Sequence, residues 1–228
     1  MVRVKNYSGV KIMILLLALG MMLSGLAGSA AAQEEEAEKS TIHIKAGELN
    51  NKDGLILLSG GLTIVKDDIT LKSPEGEFDD EENKIILTNG VDMDYADGKI
   101  TSQKMTGYFD RDDFIFENNV KMDYNPQEEN EEGEKKKFTL ESTKLDINSE
   151  TQSFTAENNV IIDYDQKIIK GNKADYDGEN EILVVTEEVY IQEENGDWIK
   201  SDRAEFDLST GEENFKATGN VEIEITLD

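Results

Sequence analysis

The side chains able to do chemistry are unevenly supplied. Carboxylates are abundant, with 50 Asp and Glu in 228 residues, whereas there is one histidine, His43, and no cysteine. Paired carboxylates are the tools of general acid–base catalysis and of glycoside hydrolysis. With 50 of them, pairs within reach of each other arise by chance, so no Asp–Glu dyad stands out. Asp175-Tyr176-Asp177-Gly178 begins like a calcium loop but lacks glycine at the sixth position and glutamate at the twelfth. It reads as a turn. His43 lies between Ile42 and Ile44 in an alternating segment and is expected to face solvent. The lack of cysteine excludes disulfides, thiol catalysis, thiolate zinc sites and iron–sulfur clusters. No phosphate-cradling glycine loop and no nucleophile elbow is present. The sequence therefore reads as non-enzymatic, with no cofactor and no metal site.

What the remaining residues do is set by charge and pattern. Lys and Arg number 23, giving a net charge of −27. The first 32 residues hold Arg3, Lys5 and Lys11 and no acid, so the rest carries −30, from 20 cations and 50 anions. That excess argues against nucleic-acid binding, which needs clustered cations, and against lying flat on an anionic membrane. Surplus surface carboxylate suits a salt-rich habitat.

Residues 1–32 have the layout of a secretory signal: a basic start, an apolar run from Ile12 to Leu19 extended by Met21, Met22, Leu23 and Leu26, and Ala30-x-Ala32 before Gln33. Retained instead of cleaved, the same segment is just long enough for a membrane anchor. Either way the basic flank stays inside and the acidic part is exported, which places the protein in the periplasm. Residues 33–40 read as an acidic disordered spacer, and residues 41–228 as one domain.

That domain repeats. A turn-like pair followed by alternating apolar residues occurs at Gly60-Gly61-Leu62, Asn89-Gly90-Val91, Asn118-Asn119-Val120, Asn158-Asn159-Val160, Glu187-Glu188-Val189 and Gly219-Asn220-Val221. The steps between markers 62, 91, 120, 160, 189 and 221 are 29, 29, 40, 29 and 32. The long step holds an inserted loop at residues 126–137, an acidic then basic run. Period-two alternation after each marker predicts β-strands with one apolar face. Turn pairs at Asp53-Gly54, Asp97-Gly98, Asp177-Gly178, Asn195-Gly196 and Thr210-Gly211 predict antiparallel hairpins. Two strands per repeat leave about 11–12 residues each, roughly twice the usual length, so each must bend. The Gly and Asn pairs lie mid-strand, where bulges with positive φ sit. The expected fold is all-β, with long antiparallel strands folded over into two facing sheets.

The apolar side chains expected to face inward are Leu62 and Ile64, then Val91, Met93 and Tyr95, then Val120, Met122 and Tyr124. The series continues with Val160, Ile162 and Tyr164, then Val189 and Ile191, then Val221, Ile223 and Ile225. From periodicity alone this stripe is an ordinary packed core as readily as a ligand surface.

The stretch Thr41-Ile42-His43-Ile44, then Gly60-Gly61-Leu62-Thr63-Ile64, then Asp68-Ile69-Thr70-Leu71-Lys72-Ser73 resembles the opening of the OstA-like (LptA) family of lipopolysaccharide transport proteins. Gly219-Asn220-Val221 carries the fuller family motif. The inserted loop and serine in place of the family's Ala-Asp are departures. The resemblance implies an open-ended antiparallel β-jellyroll whose interior stripe takes the acyl chains of lipopolysaccharide and passes them towards the outer membrane. It implies partners too: LptC-like and LptD-like jellyrolls, and head-to-tail copies of the chain itself. The joining edges would include Ile42 and Ile44 at one end and Val221, Ile223 and Ile225 at the other. Two alternatives stay open. One is a membrane-anchored LptC-like component of the same machine; the other is a surface β-solenoid with a structural or adhesive role.

Overall fold

The computed structural model describes residues 42–52, 54–66, 69–95, 98–124, 137–164, 166–208 and 214–226. The leader, the spacer, Thr41, residues 126–136 of the inserted loop, Asp53, Asp97, Thr210 and Gly211 lie outside the described residues.

The chain runs up and down in long legs. Three early legs are each broken into two strands: β1 (His43–Lys45) with β2 (Glu48–Lys52), β3 (Leu55–Ser59) with β4 (Leu62–Lys66), and β5 (Ile69–Ser73) with β6 (Glu75–Asp79). Then come eight unbroken legs: β7 (Lys84–Tyr95), β8 (Gly98–Tyr108), β9 (Asp113–Tyr124), β10 (Phe138–Asn148), β11 (Ser153–Tyr164), β12 (Lys167–Asp177), β13 (Ile182–Glu193) and β14 (Trp198–Asp207). The last leg is again broken, into β15 (Asn214–Thr218) and β16 (Glu222–Glu224). Each leg pairs with its sequence neighbours, and every pair is antiparallel. This pairing removes the β-solenoid alternative, whose coils stack in parallel. The all-β, antiparallel, open-ended fold read from the sequence is the one observed.

The predicted mid-strand bends are present and share one backbone device. All six marker pairs have positive φ at both residues: 77° and 88° at Gly60-Gly61, 68° and 106° at Asn89-Gly90, 65° and 54° at Asn118-Asn119. The values are 65° and 56° at Asn158-Asn159, 64° and 63° at Glu187-Glu188, and 74° and 44° at Gly219-Asn220. The ladder registers slip at these points, as between Thr88 and Val91 and between Thr186 and Val189. Two residues on the bent leg then face one on the next leg, which makes a bulge and turns the strand.

The intervening legs bend by different chemistry. At each of four corners a buried serine donates its hydroxyl to the carbonyl two residues on: Ser73 to Glu75 at 3.0 Å, Ser102 to Lys104 at 2.9 Å, Ser142 to Lys144 at 2.9 Å and Ser201 to Arg203 at 3.0 Å. The bend swings that carbonyl out of the ladder, and the hydroxyl satisfies it away from water. In the corresponding leg the residue is Gly171, where an added Cβ would lie 2.5 Å from Val185 Cγ1.

Bending divides the sheet into two layers. The first contains β2, β3, β6, β15, the first halves of β7, β9, β11 and β13, and the second halves of β8, β10, β12 and β14. The second layer contains β1, β4, β5, β16 and the complementary halves. The apolar faces meet between them and make one continuous core. Outside, charges alternate across the strands. Lys104 lies opposite Glu117, Glu117 opposite Lys144, Lys144 opposite Glu157 and Glu157 opposite Lys173.

At the tip of the first layer the tight turns stack on one another. Asn83 and Asp112 take positive φ of 47° and 52°, and their carbonyls accept from Phe109 N–H at 3.1 Å and Ser149 N–H at 2.9 Å. Phe138 pairs with Tyr124, so the strand ends on either side of the insertion are adjacent.

Candidate lipid-facing interior

The residues expected inside fall into two groups. Leu62, Ile64, Val91, Met93, Tyr95, Val120, Met122, Tyr124, Val160, Ile162, Tyr164, Val189 and Ile191 are buried in the core. Val221, Ile223 and Ile225 continue the alternation but are 52%, 59% and 57% exposed. They belong to the last leg, where no further strand covers them among the described residues. Ile42 is half-buried and Ile44 is 39% exposed at the opposite end of the sheet. His43 is exposed, as its alternating neighbours required.

The layers meet tightly. Tyr95, Phe114, Phe116, Met93 and Met105 are fully buried between them. Where the layers' free tips approach, the seam is aromatic. On the second layer Tyr124 pairs with Phe138, and Phe138 with Tyr164. On the first, Phe154 pairs with Tyr176 and their rings stack at 5.4 Å. Phe138 and Phe154 meet from opposite layers, with ring centroids 6.4 Å apart. Tyr95 lies across from Gly98, and a Cβ there would stand 2.3 Å from the tyrosine Cζ. Only glycine leaves room for that ring.

Burial raises two of these phenols. It pushes Tyr176 up to about 12 and Tyr95 further still. The Tyr95 hydroxyl is buried without a hydrogen-bond partner among the described residues.

One ion pair spans the same seam. Lys66 ends β4 in the second layer, and its ammonium lies 3.2 Å from the Asp112 carboxylate in the first-layer turn between β8 and β9. The Lys66 side chain is 8% exposed and that of Asp112 32%. Reading the sequence missed this contact, because the partners are 46 residues apart and neither belongs to a repeated motif.

The interior opens at the N-terminal end. A cleft of about 480 Å³ lies between the layers, lined by Ile44, Lys45, Ala46, Leu49, Ile56, Leu58 and Phe78. Five of these are large and apolar. Leu49 is 66% exposed and Leu58 is buried, so the cleft runs from solvent to the edge of the core. Of these residues only Ile44 was expected from the sequence to matter. For Ile56 and Leu58 the signal was there in Leu55-Ile56-Leu57-Leu58, an apolar run ahead of the first marker.

The outward-facing bases are mostly engaged with acids. Lys104–Glu117, Lys121–Glu141 and Lys144–Asp146 all pair at 2.6 Å. Among the described residues no group of three or more acidic or histidine side chains is placed to hold a metal ion, and no helix is long and apolar enough to cross a membrane.

Comparison with family models and with curated proteins finds no match. Among solved structures, the chain is similar to LptH, the LptA-homologous periplasmic component of the conserved lipopolysaccharide transport device from Pseudomonas aeruginosa. That likeness has a TM-score of 0.42 and 12% identity, over 51% of this chain and 82% of that one.

Proposed function

We propose that this chain is a non-enzymatic periplasmic carrier of lipopolysaccharide, which holds acyl chains in its apolar interior and hands them on towards the outer membrane. The observation that carries the reading is the apolar cleft at the N-terminal end, continuous with the core and walled by Leu49, Ile56, Leu58 and Phe78. Burying an acyl chain there is favourable by about 0.8 kcal/mol per CH₂. This attraction outweighs repulsion between the lipid phosphates and the acidic surface, which is screened beyond about 8–10 Å at ordinary salt. Acyl chains enter at the cleft and extend along the stripe from Leu62 to Ile191 as the layers part.

The test is photo-crosslinking to lipopolysaccharide from paired positions. Ile56 faces inward and Leu57 outward in β3; Met122 faces inward and Lys121 outward in β9. Capture at 56 and 122 with none at 57 or 121 is the expected pattern. Equal capture at 56 and 57 would sink the reading. Capture at 56 alone would confine the lipid to the cleft.

The same proposal covers assembly. The outer edges of β1 and β2 at one end and of β15 and β16 at the other carry no further strand among the described residues. Such edges recruit another strand unless blocked. Joining opposite ends of two copies covers Val221, Ile223 and Ile225 with the Ile44 end and builds open filaments, since the contact is heterologous. The same ends serve LptC-like and LptD-like jellyrolls. Ile223→Pro removes a backbone donor from β16. Light scattering should show concentration-dependent growth for the natural chain and none for this variant. A natural chain that stays monomeric at high concentration and high salt overturns the end-to-end model.

A further inference from the structure

The outer face of the second layer, near the C-terminal end, carries a cluster that the interior reading does not use. Trp198 is the single tryptophan of the chain. It lies on the same outward surface as Tyr190, with ring centroids 6.1 Å apart and planes 31° apart. Their neighbours across the strands are Lys170, opposite Tyr190, and Lys200, opposite Tyr190 on the other side. Lys170 Nζ stands 5.8 Å from the Tyr190 centroid, and Lys200 Nζ 4.7 Å from that of Trp198. Gln192 pairs with Trp198 and with Ile168. It places an amide between an indole and an aliphatic side chain.

Two features mark this patch. First, neither Lys170 nor Lys200 makes an ion pair among the described residues and each stands over an aromatic ring, whereas Lys104, Lys121, Lys144 and Lys173 pair with acids. In a chain with 50 carboxylates, two lysines turned onto aromatic faces keep their charge available. Second, the rings are half-buried in the sheet, so they have little rotamer freedom left to lose. Flat rings stack on the apolar faces of sugars, an amide reads hydroxyl groups, and unpaired ammonium groups select negative charge. Acids flank the patch on both sides: Glu222 and Glu224 lie opposite Lys200 and Trp198 on β16, and Asp163 lies opposite Ile168 on β11.

We infer that Tyr190, Trp198, Lys170, Lys200 and Gln192 form a binding site for an acidic saccharide on the outside of the second layer. The ligand is a sugar bearing carboxylate or phosphate, presented either as a free polymer or as the headgroup of a glycolipid. The site is on the opposite side of the sheet from the interior, so it stands or falls independently of acyl-chain carriage.

Trp198 reports on its own site. The full chain is titrated at low salt with a galacturonic acid oligomer, a neutral galactose oligomer, an acidic peptide and a phosphorylated glycolipid in detergent micelles, reading Trp198 emission. The acidic oligomer should shift the emission and the neutral one should not. Lys170→Gln and Lys200→Gln should each weaken binding about threefold and together about tenfold, the effect of one exposed cation–π or charge contact apiece. Both lysines are exposed, and far-UV circular dichroism checks that the fold is kept. A glycolipid response lost in the double variant assigns the headgroup as the source. A glycolipid response that survives in it reflects acyl contact and counts against the site. No response to the acidic oligomer, an equal response to the neutral one, or preference for the acidic peptide overturns the inference.

Discussion

Replacing Asn158 and Asn159 together with valine should destabilise the protein by about 2–4 kcal/mol, because an L-residue in the left-handed region costs about 1–2 kcal/mol and a β-branched one more. Both positions have positive φ, at 65° and 56°, and both are exposed, so packing contributes little to the loss. Asparagine tolerates this conformation and valine does not. Two further substitutions separate the backbone effect from sterics. Gly61 has φ of 88°, and nothing lies within 4 Å of the place a Cβ would occupy, so Gly61→Ala isolates the conformational cost at about 1 kcal/mol. Gly98 has no such φ but would drive a Cβ into the Tyr95 ring, so Gly98→Ala measures overpacking, at about 1–3 kcal/mol. The reverse experiment uses the one marker pair made of glutamates. Glu188 has φ of 63°, and Glu188→Gly should stabilise by about 1 kcal/mol. Glu187 is the poorer choice, because its carboxylate accepts from the Asn172 amide at 3.2 Å. Denaturant midpoints for the four variants decide the matter. A Val-Val variant as stable as the natural chain would mean that the bends do not depend on the marker residues.

That result would bear on how the sequence encodes the fold. The 29-residue step is legible because the left-handed pairs recur and because Gly and Asn mark them in five of six copies. Strand length followed from the repeat, and facing followed from alternation, as at Val120, Met122 and Tyr124 against Lys121 and Asp123. The other corner escaped notice although it has the same spacing. Ser73, Ser102 and Ser142 are separated by 29 and 40 residues, the steps of the markers, but a single serine in a polar sequence carries no conformational signature. The tight turns are similar: Asn83, Asp112, Gln152 and Glu181 all have positive φ near 50°, and none is glycine. Alternation also gives the direction of a side chain without saying whether anything covers it. Val160 and Val221 follow equivalent markers, yet one is buried beneath a facing layer and the other is 52% exposed on the last leg. Contacts between the two layers are the least legible, because each depends on how far the legs fold over.

Lys66 and Asp112 give the sharpest test of that fold-over. Asp112→Ala should destabilise by about 2–4 kcal/mol, near the cost of breaking a buried ion pair and reduced because the carboxylate is partly exposed. The loss comes from the partner left behind. Lys66 is buried to within a few per cent of its surface, and without Asp112 its ammonium keeps neither a counter-ion nor water. Lys66→Met should then cost little, since it removes the charge and leaves a side chain of similar length against Ile69, its partner across the strands. The double variant, Lys66→Met with Asp112→Ala, should recover most of the stability that Asp112→Ala loses, and the cycle should show coupling of about 1–3 kcal/mol. Independent, additive losses would mean that the pair does not hold the layer tips together. The cycle also speaks to lipid carriage. The pair sits at the seam that, under the proposed function, opens to admit an acyl chain beyond the N-terminal cleft. If the seam opens there, the double variant should label at position 122 faster than the natural chain, while labelling at position 56, already inside the cleft, stays the same. An unchanged ratio between the two positions would place the opening elsewhere along the seam, beside the Phe138 and Phe154 rings.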